Sequence, residues 1–190
     1  MRTCILAACA LLMITGPLYA DWDRFAGIDV NVRDSIRADC QSGPCDDLTY
    51  EDRYASFGIH AGFYYTALPY VDLGASAEFG TGYGMVARAR TSLGPIHLHG
   101  GIGAQEVRAR ARYDAGRNGS DESWGLHALA EAQYRWFFLR YSYQEVSQRF
   151  TVQDVNEDPD NPGDFIRGEE RRASFDTTTE TVWIGLRHTF

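Results

Sequence analysis

The chain has 190 residues, with 26 acidic side chains against 18 basic ones, all of them arginine, and a net charge of −8. That balance disfavours nucleic acid as a partner, because proteins that track a phosphate backbone need clustered positive charge. Beyond the first twenty residues no apolar run approaches the roughly 18 residues of a membrane helix, so entry into a membrane would require strands.

The amino terminus reads as an export leader. Arg2 gives a short basic start, Cys4 to Ile14 is apolar, and Leu18-Tyr19-Ala20 has the pattern of a cleavage site, so residues 1–20 are expected to be removed and 21–190 to form one domain. A lipoprotein box at Leu6-Ala7-Ala8-Cys9 is the rival reading, disfavoured because the apolar run continues past Cys9. Cys40 and Cys45 stand in the turn-rich "DCQSGPCDD". In an oxidising compartment so close a pair is expected to close a small disulfide loop, whereas a metal site would want more ligands.

From Ala26 onward the pattern has period two and falls into about eight segments, each near the roughly 9–11 residues that a tilted strand needs to cross a bilayer. The first, "AGIDVNVRDSIR", sets Ile28, Val30 and Val32 against Asp29, Asn31 and Arg33. The second, "RYASFGIHAGFYY", sets Phe57, Ile59, Ala61, Phe63 and Tyr65 against Ser56, Gly58, His60 and Gly62. Leu68-Pro69 turns into the third, where Val71, Leu73, Ala75, Ala77 and Phe79 oppose Asp72, Gly74, Ser76 and Glu78. "MVARARTSL" is the fourth, with Met85, Ala87, Ala89 and Leu93 on the greasy side and Arg88 and Arg90 on the other.

Gly94-Pro95 turns into the fifth, where Ile96, Leu98, Ile102 and Ala104 oppose His97, His99, Gly101 and Gly103, and which can extend through "EVRARARY". After the polar "DAGRNGSDES" comes the sixth, with Trp124, Leu126, Ala128, Ala130, Ala132 and Tyr134 outward. The seventh is "WFFLRYSYQEVSQRF", with Phe137, Leu139, Tyr141 and Tyr143 outward. "DVNEDPDNPGDFIRGEERRASFD" reads as a long irregular loop, and "TVWIGLRHTF" closes the chain with Val182, Ile184, Leu186, His188 and Phe190 on one parity.

Long and short connections alternate, the pattern of an up-and-down barrel with tight turns at one mouth and loops at the other. Aromatic residues are expected to form two interfacial girdles. One holds Tyr64, Tyr65, Tyr70, Tyr134, Trp136, Phe137 and Phe190. The other holds Tyr54, Phe57, Tyr83, Tyr113, Trp124 and Phe150. The expected fold is all-β: an eight-stranded antiparallel up-and-down transmembrane β-barrel whose last strand pairs with its first, because an open edge in hydrocarbon would leave backbone groups unsatisfied.

On "TVWIGLRHTF", "LHGGIGAQ" and "GLHALAEAQYRWFFLRYSYQEV" the chain resembles small outer-membrane proteins of the OmpA-like and OmpX-like kind. It departs from them at His188, where Tyr is usual, and in the shifted placing of Glu131. The resemblance implies a bacterial outer membrane, Phe190 as the assembly signal read by the outer-membrane assembly machinery, lipid and lipopolysaccharide around the wall, and loops that meet a host surface or matrix ligand.

Inside so narrow a barrel charges must pair. Asp72, Arg90, His99, Glu131, Arg140 and Arg187 fall at similar depth, and Glu78 and Arg88 share their inward parity, so a lumen charge network is expected. It either plugs the barrel or gates a narrow pore for small solutes or ions, the latter resembling a proposal for the family. A lipid A-modifying enzyme is a further alternative. Its site would need Ser, His and an acid together, yet His60, His97, His99 and His127 point inward, His188 has no evident partner, and Ser142 has no neighbouring His in sequence. No catalytic residues and no cofactor are expected. Asp154, Asn156, Asp158 and Asp160 alternate as in a calcium loop, but Pro159 takes the place of the required Gly and no Glu closes the loop. Arg108, Arg110 and Arg112 share one face and read either as a ligand for phosphates or carboxylates or as a solubilising row.

Overall fold

The computed structural model describes residues 22–43, 48–52, 57–80, 82–113, 118–157 and 165–190. Its strands are β1 (Trp22–Ser42), β2 (Leu48–Asp52), β3 (Phe57–Leu68), β4 (Val71–Phe79), β5 (Tyr83–Leu93), β6 (Ile96–Tyr113), β7 (Asn118–Tyr134), β8 (Phe137–Glu157) and β9 (Phe165–Thr189). The order is β2-β6-β5-β4-β3-β1-β9-β8-β7, all antiparallel, and β6 also pairs with β7. Eight strands therefore close into a ring. β2 stands outside it, paired from Leu48 opposite Tyr113 to Asp52 opposite Ala109, beyond the point where β5 begins.

The ring forms because the apolar parity covers the outside. Ile28, Ile59, Leu73, Met85, Ile102, Leu126, Leu139 and Ile184, drawn from all eight ring strands, are exposed large side chains. On β7 this face runs from Trp124 to Tyr134, about 25 Å high for a strand tilted about 40°. The opposite parity is buried and polar, the inverse of a water-soluble barrel. Tight turns gather at one mouth. Gly94 sits there at φ 62° and Arg135 at φ 55°, the left-handed conformations that two-residue hairpins demand. At the same mouth the Phe190 backbone N–H donates to the Arg24 carbonyl at 2.8 Å, tying the end of the chain to the first strand.

The wall is uneven. β3, β4 and β5 have 12, 9 and 11 residues, whereas β1, β8 and β9 have 21, 21 and 25. Pairing of β7 with β8 stops at Leu126 opposite Glu145, and that of β1 with β3 at Val30 opposite Phe57. Above those points the wall continues as two blades, β2-β6-β7 and β8-β9-β1.

Several expectations need correction here. The stretch from Asp154 to Asp176, read as an irregular loop, is largely paired strand: β8 runs to Glu157 and β9 starts at Phe165. Polarity does not oppose pairing where the outer face meets water and the inner face buries Ala173 and Phe175, and the adjoining β-branched run Thr177-Thr178-Thr179 favours a strand. Likewise "DAGRNGSDES" is mostly β7, which begins at Asn118. A bulge at Val32 shifts the register of β1, so Arg33 lies opposite Val182 on the outward side instead of inward. Tyr64 and Phe150, assigned to the girdles, are each 1% exposed and point into the barrel. Tyr54 lies outside the described residues, as do the leader at 1–20 and Cys45; Cys40 is disulfide-bonded.

Inward glycines make room for the rings. A Cβ on Gly185 would overlap the Phe138 ring and the Ile28 carbonyl. Gly185→Ala is therefore expected to destabilise the barrel by about 1–3 kcal/mol through overpacking, measured by urea unfolding in lipid vesicles, whereas Gly100→Ala, with open space at its Cβ position, should be nearly silent.

Candidate functional site: the charged lumen

Three carboxylates and three guanidinium groups meet in the lumen. Glu131 of β7 is the hub. It accepts from Arg187 of β9 through both oxygens, with Arg187 Nη2 at 2.7 Å from Oε2, and from Arg140 Nε of β8 at 3.2 Å, while Arg88 Nη1 of β5 lies 3.6 Å away. Glu78 of β4 accepts from Arg88 at 2.6 Å and has Arg140 at 3.5 Å. Asp29 of β1 has Arg140 at 3.0 Å. All six side chains are buried, Arg187 to 2% exposure.

Each carboxylate also has a histidine beside it: His60 of β3 at 3.5 Å from Asp29, His127 of β7 at 3.4 Å from Glu78, and His99 of β6 at 3.7 Å from Glu131. Every one of the eight ring strands thus contributes at least one member. A ring that is charged within and apolar without, over the height of a hydrocarbon layer, decides the class. This is an eight-stranded transmembrane β-barrel.

Below the network, toward the tight turns, lies an aromatic floor. Phe25 stacks on Tyr64 with centroids 5.1 Å apart, and the Arg187 guanidinium sits 4.8 Å from the Phe25 centroid and 4.9 Å from that of Phe138. These cation–π contacts satisfy faces of Arg187 that carboxylates do not reach. Tyr64 O–H and His99 Nδ1 are hydrogen-bonded at 2.7 Å. Above the network apolar and polar side chains mix: Val107, Val146, Phe150, Ala173 and Phe175 are buried together with Gln105, Glu106, Gln144, Gln148, Thr177 and Thr179. Between the two layers lies a cavity of about 30 Å³, bordered by Asp29, Glu78, His127, Arg140 and Gln144. It has room for about one or two water molecules.

Of the residues expected in the network, Glu78, Arg88, His99, Glu131, Arg140 and Arg187 are brought together. Asp72 and Arg90 are not among them. They pair with each other at 2.7 Å nearer the tight-turn mouth, where Arg90 also binds Asp23 and lies over the Tyr64 ring at 4.5 Å. Asp29, His60 and His127 belong to the network and escaped the reading by depth, because barrel shear offsets equal counts along neighbouring strands. Parity alone places all three inward.

The other candidates lie apart. The Phe190 ring is outward and meets His188 edge-on at 4.8 Å. His97 pairs with Ser92 at 2.8 Å. Asp154 and Asn156 fall in β8, and Asp158 and Asp160 lie outside the described residues, among which no metal-ligating group of three is present. Arg108 is paired with Glu122 at 3.1 Å. Across β6, Arg110 and Arg112 are register partners of Glu51 and Thr49.

No family model matches the sequence, and no curated protein matches it. Among solved structures the barrel is similar to the outer membrane protein OprG from Pseudomonas aeruginosa, at 10% identity over 89% of this chain and 96% of that one, with a TM-score of 0.48. It is also similar to Neisserial surface protein A, at 12% identity over 84% and 96%, with a TM-score of 0.34. The outer membrane protease OmpT from Escherichia coli is similar at 10% identity over 93% and 100%, with a TM-score of 0.35.

Proposed function

We propose that this barrel is a structural and surface-interaction protein of a Gram-negative outer membrane, exported by a leader at residues 1–20, and that its chemistry lies on the tall blades rather than in the lumen. The observation that carries this reading is the filled interior among the described residues: a balanced charge network on all eight ring strands, packed against a mixed layer of apolar and polar side chains, with a cavity of about 30 Å³ between them. The blades supply reach. From Glu145 to Glu157, β8 rises about 30 Å beyond the apolar face at the same tilt of about 40°. Their outward side chains, among them Arg33, Arg37, Glu145, Arg149, Arg172, Asp176 and Glu180, carry both signs, which suits contact with lipopolysaccharide or a matrix ligand for adhesion or envelope integrity.

Replacing residues 154–170 with a two-residue Asn-Gly turn is expected to leave the barrel heat-modifiable on gels while abolishing adhesion of cells to a protein-coated surface. Wild-type protein in a planar bilayer should show no resolved conductance. Unchanged adhesion would remove the surface reading, and discrete channel openings in the wild type would favour a gated pore instead.

A further inference from the structure

Two of the tight turns at the same mouth differ in one choice of residue. The β5–β6 turn begins with Gly94 at φ 62°, and the β7–β8 turn begins with Arg135 at φ 55°. Glycine reaches that conformation freely, whereas any residue with a Cβ is disfavoured there. An outlier of this kind points to a task for the side chain.

The turn is held from behind. The buried Gln133 donates its amide N–H to the Arg135 carbonyl at 2.7 Å and accepts from Arg187 at 3.2 Å. The Trp136 carbonyl accepts from the Arg187 backbone N–H at 2.8 Å. What the turn presents is a cation beside aromatic rings, at the edge of the lipid-facing wall. The Arg135 guanidinium sits 5.5 Å from the centroid of the Tyr134 ring, on the last residue of β7, and Trp136 and Phe137 are 66% and 63% exposed. Arg135, Trp136, Phe137 and His188 border a cavity of about 600 Å³ that is bordered as well by Arg90 and Arg187 of the lumen.

Charge is not balanced there. Arg90 is paired with Asp72 and Asp23, and Arg187 with Glu131. Arg135 has no carboxylate partner among the described residues, and its one printed contact is the Tyr134 ring. The mouth therefore carries a spare positive charge at the depth where headgroups meet hydrocarbon.

We propose that this mouth holds one anionic phospholipid of the leaflet it faces, with the phosphodiester on Arg135 and an acyl chain along Phe137 and the outer wall. A guanidinium fork matches two phosphate oxygens, and a phosphodiester carries the single negative charge that Arg135 leaves open. The Trp136 and Phe137 rings give the apolar part of the ligand a surface, which a free phosphate could not use. A zwitterionic headgroup brings its own cation beside Arg135 and Arg90, so the site selects the anionic lipid.

The test is native mass spectrometry of the full mature chain released from detergent, titrated with phosphatidylglycerol and, separately, with phosphatidylcholine. The wild type is expected to bind its first phosphatidylglycerol about tenfold more tightly than its first phosphatidylcholine, and Arg135→Gln to lose that margin, the size of one charge-assisted hydrogen bond. Arg135→Gly should lose it too while unfolding at no lower urea than the wild type, because glycine relieves the turn, and loss of the lipid is thereby separated from loss of the fold. Arg108→Gln, at the opposite mouth, should bind as the wild type does.

Equal binding of the two lipids by the wild type, or an unchanged margin in Arg135→Gln and Arg135→Gly, would overturn the proposal. So would a margin removed by Arg108→Gln, which would place the lipid at the other mouth. Displacement of bound phosphatidylglycerol by millimolar inorganic phosphate would overturn it as well, making the site one for a free anion.

Discussion

Replacing Glu131 with alanine is expected to destabilise the barrel by about 3–5 kcal/mol, the range for breaking a buried ion pair from one side. The magnitude follows from what is left behind. Arg187 retains Gln133 at 3.2 Å and His60 at 3.1 Å as acceptors, but no carboxylate among its partners. Arg140 keeps Asp29 and Glu78, and Arg88 keeps Glu78. The lumen passes from three charges of each sign to an excess of one positive charge, 2% exposed and unable to reach water. Urea unfolding in vesicles measures the loss, and loss of the heat-modifiable form on gels reports it qualitatively.

Glu131→Ala with Arg187→Met removes the excess charge. That double variant should recover a substantial part of the loss, because burying one uncompensated ion costs more than losing a pair. If Glu131→Ala unfolds within about 0.5 kcal/mol of the wild type, the lumen is hydrated enough to screen the hub and the plugged interior is wrong.

The sequence made the barrel legible because parity is a strong signal wherever lipid faces one side. Val182, Ile184 and Leu186 on one parity and Thr181, Trp183, Gly185 and Arg187 on the other leave one register for β9. Two kinds of information lay outside that signal. The blades stand in water on their outer face, so Arg172, Ser174 and Asp176 carry no apolar contrast and their stretch reads as loop. The Val32 bulge sits where Arg33, Asp34 and Ser35 give no parity to violate, so a one-residue slip leaves no trace in the pattern.

The network was legible by composition but not by membership. Counting along strands assigns depth without shear, which drew in Asp72 and Arg90 from the mouth and left out Asp29 and His127. Tyr64 and Phe150 have inward parity, which the preference of aromatic rings for interfaces does not override, and their neighbours Phe63 and Thr151 occupy the outward side.

Ala130→Arg is expected to cost about 2–4 kcal/mol, whereas Tyr134→Arg, four residues closer to the tight turns, should cost about 0–1 kcal/mol. Both positions are outward on β7, and neither touches the charge network, so the difference between them reads depth in hydrocarbon and nothing else about the fold. Near the middle of the face between Trp124 and Tyr134, an arginine must drag water inward or stretch to a headgroup. At Tyr134 the headgroups are within reach. Urea unfolding of both variants in the same phosphatidylcholine vesicles gives the comparison directly. Equal and small costs at the two positions would mean that this face meets water or another protein surface, and the assignment of inside and outside, on which the buried network depends, would have to be reversed.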